Sequence, residues 1–218
     1  MKKLNALLVV ATGLAMVAMP AQAYEKGDWI IRGGVGVVDP TSTAYESVPD
    51  DLKIIVDSGT AVTLTGVYMF SPNWGFEILA STPFSHDIKA AEISGPGEVK
   101  IGETKHLPPT FSVQYHFMPD GKFQPYVGAG LNWTLFFDES IDQTFFAPEA
   151  SLKIDDSFGF AVQVGGDFLF GDRMTLNIDV RYIDISPDVT LTDPIEGSET
   201  IGIDIDPIVY SVNLGFRF

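Results

Sequence analysis

Apolar and polar positions alternate with a period of two along most of the chain. In the closing segment Ile208, Tyr210, Val212, Leu214, Phe216 and Phe218 share one face, and Val209, Ser211, Asn213, Gly215 and Arg217 share the other. The same alternation marks Trp29-Ile31-Val35-Val37, Val62-Leu64-Tyr68-Phe70, Trp74-Phe76-Ile78, Phe111-Val113-Tyr115-Phe117 and Val127-Ala129-Leu131-Trp133-Leu135. It returns in Phe158-Phe160-Val162-Val164-Phe168-Phe170 and Met174-Leu176-Ile178-Val180-Tyr182, so eight strands are predicted. One half-buried strand of a soluble sheet would look the same. Eight in series, each about ten residues long, satisfy the length a tilted strand needs to cross a hydrocarbon layer.

The connectors alternate as well. Three are short, near 71–73, 118–122 and 171–173, and four are long, near 39–58, 85–105, 138–156 and 186–204. This pattern predicts an all-β fold, an eight-stranded antiparallel transmembrane β-barrel with short periplasmic turns and long extracellular loops, both chain ends lying in the periplasm. Trp29, Phe70, Trp74, Phe117, Phe123, Phe170 and Phe218 all fall at the short-turn ends of the strands, as an interfacial aromatic girdle requires. Within the third long loop, Ala147-Pro148-Glu149-Ala150 predicts a short helix, with proline in its first turn.

Composition narrows the compartment. Lys2 and Lys3 precede an apolar run from Ala6 to Met19 that ends in Ala21-Gln22-Ala23, the layout of a secretory signal peptide cleaved after Ala23. Residues 24–218, about 195 in all, then form a single outer-membrane barrel domain in a Gram-negative cell. With no cysteine in the chain, disulfides and thiolate chemistry are excluded. A net charge of -16 argues against a nucleic-acid partner. The acidic loops, with Glu46, Asp50, Asp51 and Asp57 in the first and Asp188, Asp193, Glu196, Glu199 and Asp204 in the last, suit solvation beside lipopolysaccharide. Ile54, Ile55, Val56, Phe145 and Phe146 make two of those loops locally apolar, which suits the collection of hydrophobic solutes.

Orientation gives each inward residue a height. Near the short turns the inward positions are Arg32, Glu77, Gln114, His116, Asp167, Asn177, Asp179, Arg181, Asn213 and Arg217, a set able to neutralise itself as a polar floor. Toward the long loops they are Val38, Ala61, Leu79, Pro83, Phe136, Ala161, Ile183, Ile185, Ile205 and Val209. An eight-stranded barrel holds its own side chains or one small ligand. That apolar half therefore reads either as ordinary filling or as a pocket for a hydrophobic molecule. Pro83 and the pair Pro108-Pro109 interrupt neighbouring strands at one height, where missing N–H donors predict either a local parting of the wall or simply the end of the strands.

Several stretches resemble the OmpW/AlkL family of small outer-membrane β-barrel proteins. They include Gly27-Asp28-Trp29 with Arg32, Thr82-Pro83-Phe84 with His86 and Ile88, and His106-Leu107-Pro108-Pro109-Thr110. Pro125-Tyr126-Val127-Gly128-Ala129-Gly130 with Asn132, Phe136-Phe137, Gln163-Val164-Gly165 with Asp167, Asp206-Pro207 and Gly215-Phe216-Arg217-Phe218 follow in order. The resemblance implies uptake of small hydrophobic molecules, held in an apolar lumen and released sideways where Pro83, Pro108 and Pro109 open the wall. Where some relatives place an aromatic residue in the lumen, this chain has Arg181. A structural or adhesive barrel with surface-binding loops is the alternative. A lipid-modifying enzyme finds less support: Ser85-His86-Asp87 is the one adjacent trio, and strand neighbours point to opposite faces. His106 and His116 stand ten residues apart on one predicted strand, too far to share a metal. The expectation is a monomer among outer-membrane lipids and lipopolysaccharide, with small hydrophobic solutes as partners, no catalytic residue, no cofactor and no metal.

Overall fold

The computed structural model describes residues 24–41, 52–92, 97–144, 146–195 and 197–218. The leader and its cleavage site, with Glu46, Asp50, Asp51, Phe145 and Glu196 of the loops, lie outside the described residues.

Among the described residues fourteen strands follow in order: β1 (Trp29–Asp39), β2 (Leu52–Val56), β3 (Gly59–Met69), β4 (Trp74–Ser81), β5 (Phe84–Glu92), β6 (Glu98–Leu107), β7 (Thr110–His116), β8 (Phe123–Ile141), β9 (Ser151–Ile154), β10 (Ser157–Phe170), β11 (Met174–Ile183), β12 (Asp188–Asp193), β13 (Gly197–Gly202) and β14 (Ile208–Arg217). Eight of them, β1, β3, β4, β7, β8, β10, β11 and β14, pair in an antiparallel ring that β8 and β10 close. The first and last strands meet in register, Ile30 opposite Arg217 and Val38 opposite Val209. Closure pairs the backbone polar groups of these strands with one another, as a span through lipid requires.

The alternation is realised as a two-faced wall. Outward-facing Val62, Leu64, Leu131, Phe158, Val212 and Leu214 are each more than half exposed, up to 70% for Phe158. In water such a band would forfeit about 25 cal/mol per Å2 of apolar surface, whereas acyl chains cover it without that penalty. Trp29, Trp74, Phe117 and Phe218 stand exposed at the short-turn rim. The opposite parity is buried, and polar side chains fill much of it.

The long connectors differ from their expected character. They carry strands rather than irregular loops. β5 and β6 continue the wall upward, with β6 paired to the distal half of β8 and β2 paired to β5. β9, β12 and β13 form a separate three-stranded sheet. The helix expected at Ala147–Ala150 is a turn: the Ala150 N–H donates to the Ala147 carbonyl at 3.0 Å, and Glu149 adopts φ of 73°. Proline at the second position with positive φ at the third is the signature of a type II turn, and it cannot propagate into a helix.

Candidate functional site

The lower interior is a continuous polar network centred on Glu77. Its carboxylate accepts from Arg181 Nη2 at 2.6 Å, Gln114 Nε2 at 2.6 Å, Gln163 Nε2 at 3.0 Å and Arg32 Nη1 at 3.4 Å. Arg32 also donates to Asp167 at 2.5 Å, and Arg181 donates to Gln163 and lies 3.5 Å from Asp179. Tyr126 donates its hydroxyl to Asp179 at 3.0 Å, and Asn177 donates to both Tyr126 and Asp167 at 3.0 Å. Gly165 makes room for this arrangement, since a Cβ there would stand 2.5 Å from the Tyr126 hydroxyl.

The predicted floor residues Arg32, Glu77, His116, Asp167, Asp179 and Arg181 thus come together. Arg217 sits lower, 3.6 Å from Asp28 and donating to the Asp172 carbonyl at 3.0 Å. Three members escaped the sequence reading of the lumen: Gln163, which alternates with outward Val162 and Val164, Tyr126 and Tyr24. Tyr126 alternates with the outward Val127 and could have been found by parity. Tyr24, outside any strand, gave no periodic signal, yet it is buried, donates to Asp167 at 3.0 Å and sets its ring edge-on to His116.

Above the network the interior changes chemistry. Val38, Ala61, Phe84, Ala161, Ile183, Ile185 and Val209 form one buried cluster, with Phe136 and Ile205 packed against it. Two sequence assignments need correction here. Pro83 is exposed rather than inward, and Leu79 is half-buried and stands outside the cluster. On β4 the buried positions are 75 and 77, but on β5 they are 84 and 86, so parity slips at Thr82-Pro83 and delivers Phe84 to the interior in place of Pro83.

Over this cluster opens a cavity of about 330 Å3. Val38, Phe136, Ile185 and Ile205 line it from the barrel side; Ile54, Val56, Ile88, Ile101, Leu152, Ile154, Val189, Leu191 and Ile201 line it from the upper strands, and Phe146 and Ile203 from the connections between them. Most of its wall therefore comes from segments expected to be loops. His86, His106, Thr104 and Glu199 are its titratable or hydroxyl-bearing members.

The wall beside the cavity is interrupted. The ladder between β4 and β7 ends at Leu79 opposite Thr110, and the ladder between β5 and β6 starts at Phe84 opposite His106. Among the described residues no ladder pair joins 80–83 to 107–109. Each strand is held from its other side. Thr82 N–H donates to the Val62 carbonyl at 2.9 Å, and Trp133 N–H donates to the Pro109 carbonyl at 3.0 Å. Pro108 is buried and Pro109 half-buried.

His86 and His106 meet face to face, ring centroids 4.8 Å apart and 15° from parallel, and Phe84 and Phe136 flank His106 at 5.4 and 5.7 Å. Both imidazoles lie above the lipid-facing band. At their height the outer wall carries Asp87 paired with Lys100 at 2.7 Å and Lys105 paired with Asp138 at 3.0 Å, ion pairs that belong in water. Burial pushes the His86 pKa below its ordinary value, and burial together with the neighbouring His86 ring brings His106 down to about 3. The stack joins residues twenty positions apart, which strand parity alone cannot register. In the Ser85-His86-Asp87 trio, Ser85 is exposed and Asp87 is engaged with Lys100 outside, while the His86 ring is inside. Among the described residues no three histidine or carboxylate side chains gather as metal ligands.

The sequence pattern of the OmpW family matches residues 25–218. Outer membrane protein W of Vibrio cholerae is 42% identical over 214 residues, covering 94% of this chain and 97% of that protein. Its counterpart in Escherichia coli is 36% identical over 221 residues, and both chains are covered completely. The crystal structure of OprG from Pseudomonas aeruginosa superposes with a TM-score of 0.82 at 35% identity, covering 91% of this chain and 99% of that one.

Proposed function

This chain belongs to the OmpW family of outer-membrane β-barrel proteins, and from that premise we propose that it takes up small hydrophobic molecules through the apolar cavity at its upper end. One observation carries the reading: a cavity of about 330 Å3 with an almost wholly aliphatic and aromatic lining sits directly over a charge-paired polar network. A hydrophobic solute gains by entering the first and would have to break hydrogen bonds to cross the second. Passage to the periplasm along the barrel axis is accordingly closed to it.

The exit in this proposal is lateral. The break between Leu79–Thr110 and Phe84–His106 leaves two strands unzipped beside the cavity, with Pro83, Pro108 and Pro109 removing three N–H donors from that stretch. An unzipped wall in a membrane is tolerated where protein lines it, and Phe84, Pro108 and the upper cluster supply that lining. The proposed setting is a monomer, short turns and both termini in the periplasm, upper strands among lipopolysaccharide, with no catalytic residue assigned.

The test is uptake of radiolabelled naphthalene by whole cells that produce the protein, the double variant Pro108→Val/Pro109→Thr, or neither. Expression should accelerate uptake, and the double variant, with its ladder donors restored, should lose most of the gain while remaining folded. Equal rates with the wild-type and variant proteins would remove the lateral route; equal rates with and without the protein would remove the function.

A further inference from the structure

The three-stranded sheet of β9, β12 and β13 has two unlike faces. One is hydroxylic: Thr190 pairs with Thr200 at 2.8 Å and Thr192 with Ser198 at 3.1 Å. The other is turned to the cavity and is built as two rungs. In the lower rung Val189 stands between Ile154 and Ile201; in the upper rung, nearer the β12–β13 turn, Leu191 stands between Leu152 and Glu199. All six side chains line the cavity. Five are aliphatic, and strand parity sets the sixth, a carboxylate, on the same face.

Glu199 is exposed, and among the described residues no hydrogen bond or ion pair reaches it. The lysines around the upper layer are engaged elsewhere: Lys89 with Asp57 at 2.5 Å, Lys100 with Asp87 at 2.7 Å, Lys105 with Asp138 at 3.0 Å, and Lys153 with Asp155. The loop positions outside the described residues, 42–51, 93–96, 145 and 196, contain no lysine, arginine or histidine in the sequence. No lysine or arginine lines the cavity, and burial pushes the two histidines that border it toward their neutral form. Glu199 is therefore the one formal charge among the lining residues, and the chain supplies it no counter-charge.

Apolar pockets take their specificity from a few placed polar groups. A carboxylate at the rim of an aliphatic chamber complements a hydrocarbon skeleton that carries a cationic head. Exposure of the rim matters here, because an ammonium held by Glu199 keeps part of its hydration and avoids most of the desolvation penalty of a buried ion pair. A hydrophobic carboxylate meets the reverse: a like charge at the rim and no cation inside. We infer that the cavity favours hydrophobic amines in their ammonium form over neutral hydrocarbons and disfavours hydrophobic carboxylates, with Glu199 as the specificity-determining residue. The inference rests on the uptake reading above and names the head group that the same site selects.

Three probes of one skeleton separate the terms: 1-naphthylmethylammonium, naphthalene and 1-naphthoate. Their affinities are measured by equilibrium dialysis against the folded protein in phosphatidylcholine nanodiscs at low ionic strength, with protein-free nanodiscs as reference. The wild-type protein should bind the ammonium up to about fivefold more tightly than naphthalene, the worth of one exposed ion pair, and naphthoate most weakly. Glu199→Gln should remove the preference for the ammonium and leave the affinity for naphthalene unchanged. Glu199→Lys should transfer the preference to naphthoate. Equal binding of the ammonium and naphthalene by the wild-type protein would overturn the inference and leave hydrophobic uptake standing. A preference that survives both substitutions would overturn it as well, by assigning the attraction to the acidic surface at large. Binding of none of the three probes would overturn the pocket reading and this inference together.

Discussion

Glu77 accepts hydrogen bonds from Arg32, Gln114, Gln163 and Arg181, side chains reaching it from four other strands, so its carboxylate fixes the lower lumen more firmly than any single ion pair could. Glu77→Ala should lower stability by about 3–5 kcal/mol, because Arg32 and Arg181 would stay buried with their strongest shared acceptor gone. Urea unfolding followed by tryptophan fluorescence measures this, and Glu77→Gln should recover part of the loss by keeping the hydrogen-bonding shape. The histidine stack carries a pH prediction. The folded pKa of His106 is about 3 against 6.5 for the free side chain, so the unfolded chain binds more protons between those values. The stabilising effect of the stack is therefore complete above about pH 6.5 and is lost as pH falls toward 3. Proteolysis of the upper strands should accelerate across that window, and His106→Phe should flatten its share of the response. At this scale much of the floor was legible, since burial of Arg32, Glu77 and Asp167 follows from strand parity. The stack was not, because it depends on the register between β5 and β6 and on the slip at Thr82-Pro83 that turns Phe84 and His86 inward.

At the scale of elements, alternation alone defined the eight barrel strands. Outward parity on β14 runs through Tyr210, Val212, Leu214 and Phe216, all exposed, and inward parity through Val209, Asn213 and Arg217, all buried. Leu214→Arg, which puts a cation into the lipid-facing band, should cost about 2–4 kcal/mol, while the same charge at exposed Ser198 of β13 should cost nothing measurable in the same unfolding assay. The upper strands left a weaker imprint because they do not face lipid uniformly. β12 reads Asp-Val-Thr-Leu-Thr-Asp, with apolar positions turned to the cavity and polar ones to water, and six residues of such a pattern next to charged turns resemble a loop. β5 and β6 were hidden for another reason: a bulge between Ile88 and Lys89 shifts the pairing, so no single phase spans the segment. The prolines lie at the height where the ladder stops at Leu79 opposite Thr110, and beyond them pairing resumes at Phe84 opposite His106, which strand parity does not register.

The molecule divides into two layers with separate sources of stability. The barrel is held by a closed ladder and the polar floor; the upper layer is held by β2, β5, β6 and the three-stranded sheet of β9, β12 and β13. Only the upper layer encloses the cavity on its outer side. β12 and β13 contribute Val189, Leu191, Glu199 and Ile201 to its lining, and their contacts run to each other and to β9 rather than into the floor. Replacing residues 189–201 with a short glycine-serine linker should therefore leave the barrel folded, as judged by its heat-dependent shift in gel mobility. The same deletion opens one side of the cavity to water and removes three aliphatic side chains from it, each worth about 1.5–3 kcal/mol when fully buried against a ligand. Only part of that is realised in binding, so the affinity for naphthalene should fall by at least about tenfold. A barrel that loses its fold along with the hairpin would show that the layers are coupled. One that keeps full affinity would place the hydrophobic site below the hairpin, within the cluster of Phe84, Ile183 and Val209.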